Sequence, residues 1–455
     1  MMTEPWEWEP AVPAAAAGAP DARAGAMRAR LEARFDDAFG TAAPTRLIGD
    51  ADADADAAVT RAFARRAVHG PRVLASAPGR LELAGNHVDH QGGQVISAAI
   101  DERLWGLAAP NGLPLIRLAM EGFGRAVIDL SDPGWAAPKA VERGTSAALM
   151  RGMAAAFARA GHPVRGLDLA TASDVPAGAG LSSSAAFEMM AGACLEALFG
   201  GAGADAVPSD PVALALAGCE AEGAYFGKGS GAQDQLASAC GGVLLLDFSG
   251  ERPVVTPVPF DAAGHGYALV LVDSRHDHSL HTDEFCAIPA DMRAVANLLG
   301  GARLGDVPPE RFFASLRRVR QELGDLRAMR ALHYYDEVRR VGEQRLALTQ
   351  GDFRAFLAAA RVSGASSAQF LQSVSSHGEG GRVRQPAMAI LGLCSHLLGE
   401  RGAWRIHGGG FGGSVLAFVP ADELAAFTAA VDDMLGYPAC SVVEAGAPGV
   451  WARAL

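Results

Sequence analysis

The sequence predicts an α+β protein of two domains, and three observations carry that expectation. At 455 residues the chain exceeds one ordinary domain. Apolar, β-like runs gather ahead of helical stretches instead of alternating with them one for one, which disfavours a regularly wound parallel sheet. A Pro-rich stretch from Glu251 to Phe260 separates a first set of elements from a second that starts near Gly266. The expected division is a mobile leader over 1–26, a first domain over 27–260 and a second over 261–455.

Composition narrows the function classes. Half of the residues are hydrophobic and 20% are charged, as in a globular protein able to bury a core. A net charge of -12 with no clustered basic surface excludes a nucleic-acid binder, but not a nucleotide held by amides, one metal ion and a few cations. The six cysteines are scattered without a Cys-x-x-Cys pair and read as reduced thiols. The N-terminus is acidic where a secretory signal would be basic, and the apolar runs are strand-sized. A cytoplasmic protein with no membrane partner is expected, acting as a monomer.

In chain order, the Ala- and Pro-rich start lacks a periodic apolar face and leads to a short amphipathic helix at Met27 to Phe39. The alternating Asp-Ala tract over 50–56 reads as a solvated loop or helix lead-in. Arg72 to Ala77 forms a strand that stops at Pro78-Gly79, and β-like runs follow at Gln94 to Ile100, Arg103 to Ala109, Leu115 to Leu118 and Ala126 to Leu130. A helix is expected from Thr145 to Ala160, a strand at Leu167 to Ala172, and a helix from Pro211 to Tyr225. The second domain has a strand at Tyr267 to Asp273 and a helical middle from Pro289 to about Leu398. It closes with strands at Trp404 to Ile406 and Ser414 to Val419, a helix from Asp422 to Leu435 and a last strand near Ser441 to Glu444.

Between Ser173 and Met190 a strand end, a glycine turn and a helix start follow one another. Gly178 and Gly180 remove side chains at the turn, and Ser182, Ser183 and Ser184 offer hydroxyls to the first free amides of a helix running to about Leu198. Unpaired amides and the helix dipole there suit phosphate. An ordinary glycine turn with a serine cap has the same local pattern. A second polar turn, Pro78 to Gly93, holds Arg80, Asn86, His87, Asp89 and His90. These groups can bond hydroxyls, while a metal reading of His87, Asp89 and His90 ranks lower because no further ligands support it. Asp234 follows a third turn, where a helix N-cap is the plainer role. Phosphoryl transfer to a hydroxyl needs cradled phosphates, Mg2+, fixed positive charge and a group that orients the acceptor, and these residues can supply each.

On Pro78 to Gly93, Pro176 to Ala186 and Gly408 to Ser414, in that order, the chain resembles the GHMP kinase superfamily (galactokinase, homoserine, mevalonate and phosphomevalonate kinases), and galactokinases most of all. The resemblance runs from about Arg72 to the C-terminus. It implies a ribosomal protein S5 domain 2-like N-terminal domain, a ferredoxin-like C-terminal domain and MgATP-dependent phosphorylation of the anomeric hydroxyl of galactose. It further implies that Arg80 stabilises the transferring phosphoryl group and keeps Asp234 ionised as base or orienting carboxylate. Asn86, His87, Asp89 and Phe285 then fall at the sugar. Gly178, Ala179, Gly180, Leu181, Ser182, Ser183 and Ser184 fall at the ATP phosphates, and Ser184 with Glu222 at Mg2+. Gly409, Gly410 and Gly412 close the site from the second domain.

Three positions depart from the resemblance. Asn86 stands where most galactokinases have Glu, His90 where Tyr is common, and Phe285 where the family has a tyrosine near the sugar. These departures keep another sugar or small alcohol open as acceptor. A catalytically silent sugar sensor is the rival of another class, and the intact set of Arg80, Ser184, Glu222 and Asp234 argues against it. His276, His278 and His281 are expected as polar contacts at the cleft edge.

Overall fold

The computed structural model describes residues 22–40, 53–175, 180–201, 205–206, 208–229, 231–276, 281–375 and 385–455. The expected leader before residue 22, the first residues of the Asp-Ala tract, Gly178, Ala179 and His278 lie outside the described residues. Two helices open the chain, α1 (Ala22–Phe39) and α2 (Ala53–Phe63). The first starts five residues earlier than its apolar spacing suggested. Met27, Leu31 and Phe35 recur on one face and are buried against Trp105, Leu107 and Ala170.

Next come β1 (Val73–Ala84), β2 (Gln94–Pro110), β3 (Leu115–Met120), β4 (Gly124–Asp129), α3 (Ser146–Arg159), β5 (Leu167–Ser173) and α4 (Ser183–Phe199). They are followed by β6 (Asp205–Ala206), α5 (Pro211–Glu220) with a π-helical continuation over Ala221–Phe226, α6 (Gln233–Cys240), β7 (Val243–Asp247) and β8 (Val254–Pro257). Contrary to expectation, β1 does not stop at Pro78-Gly79. Its pairing with β2 shifts register between Pro78 and Arg80, a bulge that absorbs the missing proline donor. The freed Arg80 amide donates to the Leu181 carbonyl at 3.2 Å, and a Cβ on Gly79 would sit 2.9 Å from that oxygen. This close approach ties the first polar turn to the glycine stretch.

The third group is β9 (Tyr267–Asp273), α7 (Thr282–Leu298), α8 (Pro309–Leu323), α9 (Asp325–Thr349), α10 (Phe353–Ser366), α11 (Pro386–Leu398), β10 (Ala403–Ile406), β11 (Ser414–Pro420), α12 (Leu424–Leu435), β12 (Cys440–Val443) and β13 (Trp451–Ala454). Helix α7 begins well before Pro289, which lies inside it, so Phe285 sits in its first turns.

Two sheets organise the chain. A nine-stranded sheet runs β4-β3-β5-β2-β1-β13-β6, with β7 on the far half of β2 and β8 beyond it. A four-stranded sheet runs β10-β11-β9-β12, all antiparallel. The chain end returns to the first sheet, because β13 pairs with β1 at Val73 to Ser76. Helix α4 lies close across β1 and β2, where a Cβ on Gly106 would collide with the Met190 sulfur. Leu81 and Leu83 of β1, Leu269 and Leu271 of β9, and Phe356 of α10 share one apolar cluster, so the two sheets are joined by a common core and the cleft between them has a firm floor.

Candidate active site

The cleft has a volume of about 570 Å³, within the range of small-molecule sites. At its floor Arg80 grips Asp234 with both arms: Nε donates to Oδ1 at 2.6 Å and Nη2 to Oδ2 at 3.0 Å. The remaining Arg80 arm donates to the Gly180 carbonyl at 2.7 Å. Bidentate geometry of this kind is both strong and orientation-fixing. Burial opposes charge on Asp234, but Arg80, Lys228 and the Ser182 hydroxyl outweigh it and hold the carboxyl below its usual range. Burial also acts against the Arg80 cation, and Asp234 with Glu82 more than restores it. Asp234 lies inside the first turn of α6 behind Ala232, so its carboxylate serves Arg80 and not the helix end.

The serines do not cap α4. Ser182 occupies the cap position at φ 59°, with no side-chain bond to the helix amides, and its hydroxyl donates to Asp234 Oδ2. Ser184 donates to Glu222 Oε1 at 2.9 Å. Each hydroxyl donates its proton to a carboxylate, a charge-assisted bond, and the first amides of α4 take no side-chain partner from Ser182. Leu181 is buried, and Gly180, Leu181, Ser182, Ser183 and Ser184 all line the cleft. His87 and Ser182, two of the five non-glycine residues at positive φ among the described residues, line it, a cost of about 1–3 kcal/mol each that the surrounding structure has to hold.

Glu222 is buried and receives Gln235 Nε2 at 3.2 Å as well as Ser184. Gln235 bridges to Glu188 at 2.9 Å, and burial, then the neighbouring Glu222, push the Glu188 carboxyl well above its usual range. Its Oε1 is buried without a partner. The Ser184 hydroxyl and the Glu222 carboxylate are hard oxygen donors of the kind a divalent cation such as Mg2+ takes.

Sugar-side residues divide. His87 donates from Nε2 to the Gly409 carbonyl at 3.0 Å, and burial lowers its pKa to about 4, so it is neutral at physiological pH. Its ring lies 5.2 Å from that of Phe285. Asp89 faces the cleft, and burial, with Asp234 and Glu82 nearby, raises its pKa to about 7. A Cβ on Gly231 would run into the Asp89 carboxyl, so a side chain there would have to push Asp89 aside.

Asn86 is placed differently from its expected position at a sugar hydroxyl. It is fully buried, does not line the cleft, and donates to Glu82 at 3.0 Å and to the Gly408 carbonyl at 2.7 Å. Its Oδ1 accepts from Ser367 at 3.1 Å. The amide is spent in joining β1 to the glycine loop and to the turn just after α10.

That loop is built for contact. A Cβ on Gly409 would enter the Phe285 ring, on Gly410 the Ser373 carbonyl, and on Gly412 (φ 141°) the carbonyl of His276 at 2.6 Å. His276 meets His281 at 2.7 Å between Nε2 atoms, and His281 meets Glu284 at 2.8 Å.

Sequence reasoning missed three lining residues. Glu82 accepts from Arg405 at 2.5 Å beneath the Arg80 pair. His407 accepts the Glu82 amide at 3.1 Å, and burial, then Arg80, keep it neutral. Lys228 reaches Glu222. Period-two alternation on β1 could have flagged Glu82, and a lone cation in Phe226-Gly-Lys-Gly could have flagged Lys228; nothing local marks His407.

Residues 61–110 match the galactokinase galactose-binding signature, and residues 148–242 the GHMP kinases N terminal domain. A galactokinase from Streptomyces coelicolor is 32% identical over 408 residues, 85% of this chain and 95% of the relative. The crystal structure of Lactococcus lactis galactokinase complexed with galactose superposes with a TM-score of 0.71 at 25% identity, covering 83% of this chain and 94% of that one. The mevalonate kinase of L. major, in complex with R-mevalonate, shares the fold alone, at a TM-score of 0.55 and 17% identity over 84% of this chain and 97% of that one. With its α+β architecture, its three glycine-containing motifs converging on one cleft and a full-length relative of this similarity, the chain belongs to the galactokinase family of the GHMP kinases.

Proposed function

We propose that the protein transfers the γ-phosphoryl group of ATP to the anomeric hydroxyl of galactose, giving galactose 1-phosphate. The observation that carries this reading is the Arg80–Asp234 pair, held at the cleft floor against Gly180 and Ser182 at the start of α4. A carboxylate has about four lone-pair directions. Arg80 and Ser182 take three on Asp234, which leaves one directed site for the acceptor hydroxyl. Asp234 orients that hydroxyl and takes its proton as the phosphoryl group moves, while the guanidinium of Arg80 balances the negative charge spread over the transferring oxygens. Ser184 and Glu222 would hold Mg2+, which neutralises charge on the nucleotide phosphates. None of the six cysteines is in a disulfide, which suits the reducing cytoplasm. No helix among the described residues is long and apolar enough to cross a membrane.

His87 and Asp89 line the acceptor end. Sugar hydroxyls donating to Asp89 favour its ionised form. Galactose binding should therefore release a fraction of a proton below pH 7 and none well above it, as calorimetry in buffers of different ionisation enthalpy would read. The raised carboxyl also makes Asp89 a destabilising group once ionised. Its contribution to stability is fully present below the unfolded pKa of 3.8 and is lost as pH rises through about 7. The Asp89→Asn variant should lack this loss and melt higher than the parent at pH 8. An unchanged pH dependence would show that Asp89 is not buried in this way.

The deciding assay is ATP turnover with Mg2+ over galactose, glucose, N-acetylgalactosamine, arabinose and no sugar, with 31P NMR of the product. A galactose-dependent 1-phosphate is expected. Far better turnover on another acceptor would assign specificity to Phe285, whose ring supplies no hydroxyl beside His87. Binding of galactose without phosphoryl transfer would refute the reading.

A further inference from the structure

Lys228 belongs to none of the three motifs, yet its ammonium lies 3.4 Å from Glu222 Oε1. That same oxygen accepts the Ser184 hydroxyl at 2.9 Å, while Oε2 accepts from Gln235. The expected metal ligands therefore already carry a cation. Glu222 is sealed in, with a side chain 1% exposed, but the lysine is 27% exposed and lines the cleft beside Asp234. Its ammonium stands 5.7 Å from the centre of the Phe285 ring.

Two features make this contact exchangeable. It is a single contact, long for a charge-assisted hydrogen bond at 3.4 Å, and water reaches its lysine end. Its cation is a compact charge on a four-carbon stem, which can turn toward a phosphate without moving the backbone. A divalent ion at Glu222 and Ser184 would repel the ammonium, and a polyphosphate in the same cleft would attract it.

We propose that Lys228 is a displaceable counter-ion, neutralising Glu222 in the metal-free protein and passing to the nucleotide phosphates when the metal nucleotide binds. This rests on the reading that the cleft takes a metal nucleotide, but not on galactose as acceptor. It assigns Lys228 two partners in turn.

The test uses the full chain, without sugar, and Mn2+ as the probe, with the free aqueous Mn2+ signal read by electron paramagnetic resonance. Without nucleotide, Lys228→Met should bind Mn2+ about threefold or more tighter than the parent, because a competing cation is gone. With ADP present the order should reverse, the variant holding MnADP about threefold or more weaker, since one phosphate contact is lost. Lys228→Arg, which keeps the charge, should follow the parent in both series. Misfolding would not give Mn2+ binding that is tighter at a single site together with the parent's melting temperature, which is measured alongside. Equal or weaker Mn2+ affinity in Lys228→Met would overturn the displacement, and unchanged MnADP affinity would overturn the passage to phosphate. A parent protein that binds neither Mn2+ nor MnADP would overturn the nucleotide reading and this inference with it. Parent binding with no effect of Lys228→Met defeats the inference alone.

Discussion

Replacing Asp234 with asparagine is expected to lower kcat by about 10²–10⁴-fold, the usual range for removing a positioned proton acceptor. The amide keeps the shape and can still accept from Arg80, but it cannot take a proton from the acceptor hydroxyl. The fold should persist, because Arg80 retains the field of Glu82 and the Gly180 carbonyl. A second readout follows from the crowding of carboxylates. Asp234 is one of the charges that raise Asp89, so removing it should bring the Asp89 pKa down from about 7, measurable by NMR titration. Turnover within tenfold of the parent, in a folded variant, would remove Asp234 from the chemistry.

The second large effect is expected at Arg80. Arg80→Ala should reduce kcat by about 10³-fold with little change in galactose affinity, because its charge acts mainly on the transition state. It should also change the pH profile. In the parent, Asp234 is held low, so the carboxylate is ionised throughout the neutral range. Without Arg80 the burial of Asp234 is no longer outweighed, its pKa rises, and residual activity should fall as pH drops through the new value. Arg80→Lys should rescue poorly, since one ammonium cannot serve both carboxylate oxygens and the Gly180 carbonyl together. The double variant should be little worse than the worse single one, as for groups acting as a unit. A loss confined to the Michaelis constant for galactose would make Arg80 a binding residue instead.

These two expectations stand on residues that the sequence already marked, and the reason is local. Glycines at a strand-to-helix turn, an arginine just past Pro-Gly and a carboxylate after a third glycine turn are patterns over a few positions, and the order of the three motifs gave the family. The long periodic segments were legible for the same reason, as with α3, α4, β9 and β11. Elements with interrupted patterns were not. Pro78-Gly79 reads as a stop, yet β1 runs through it on a bulge, and Pro289 reads as a start, yet α7 begins at Thr282. In both places tertiary pairing outweighed the local propensity of one proline.

What the sequence by itself determined is the α+β class, the three motifs and the residue types that phosphoryl transfer needs. What only the tertiary structure decided is where each polar group spends its hydrogen bonds. Asn86 lies beside hydroxyl-binding residues in the chain, but the Gly408 carbonyl, 322 positions away, and Glu82 claim its amide. Ser182 has the sequence of a cap and instead serves Asp234. His407 and Lys228 enter the cleft, and β13 joins the first sheet, through contacts that span the whole chain or a single turn without periodicity. A side chain's partner is set by which donor or acceptor the fold brings within about 3 Å, and that choice among distant competitors leaves no trace in local spacing.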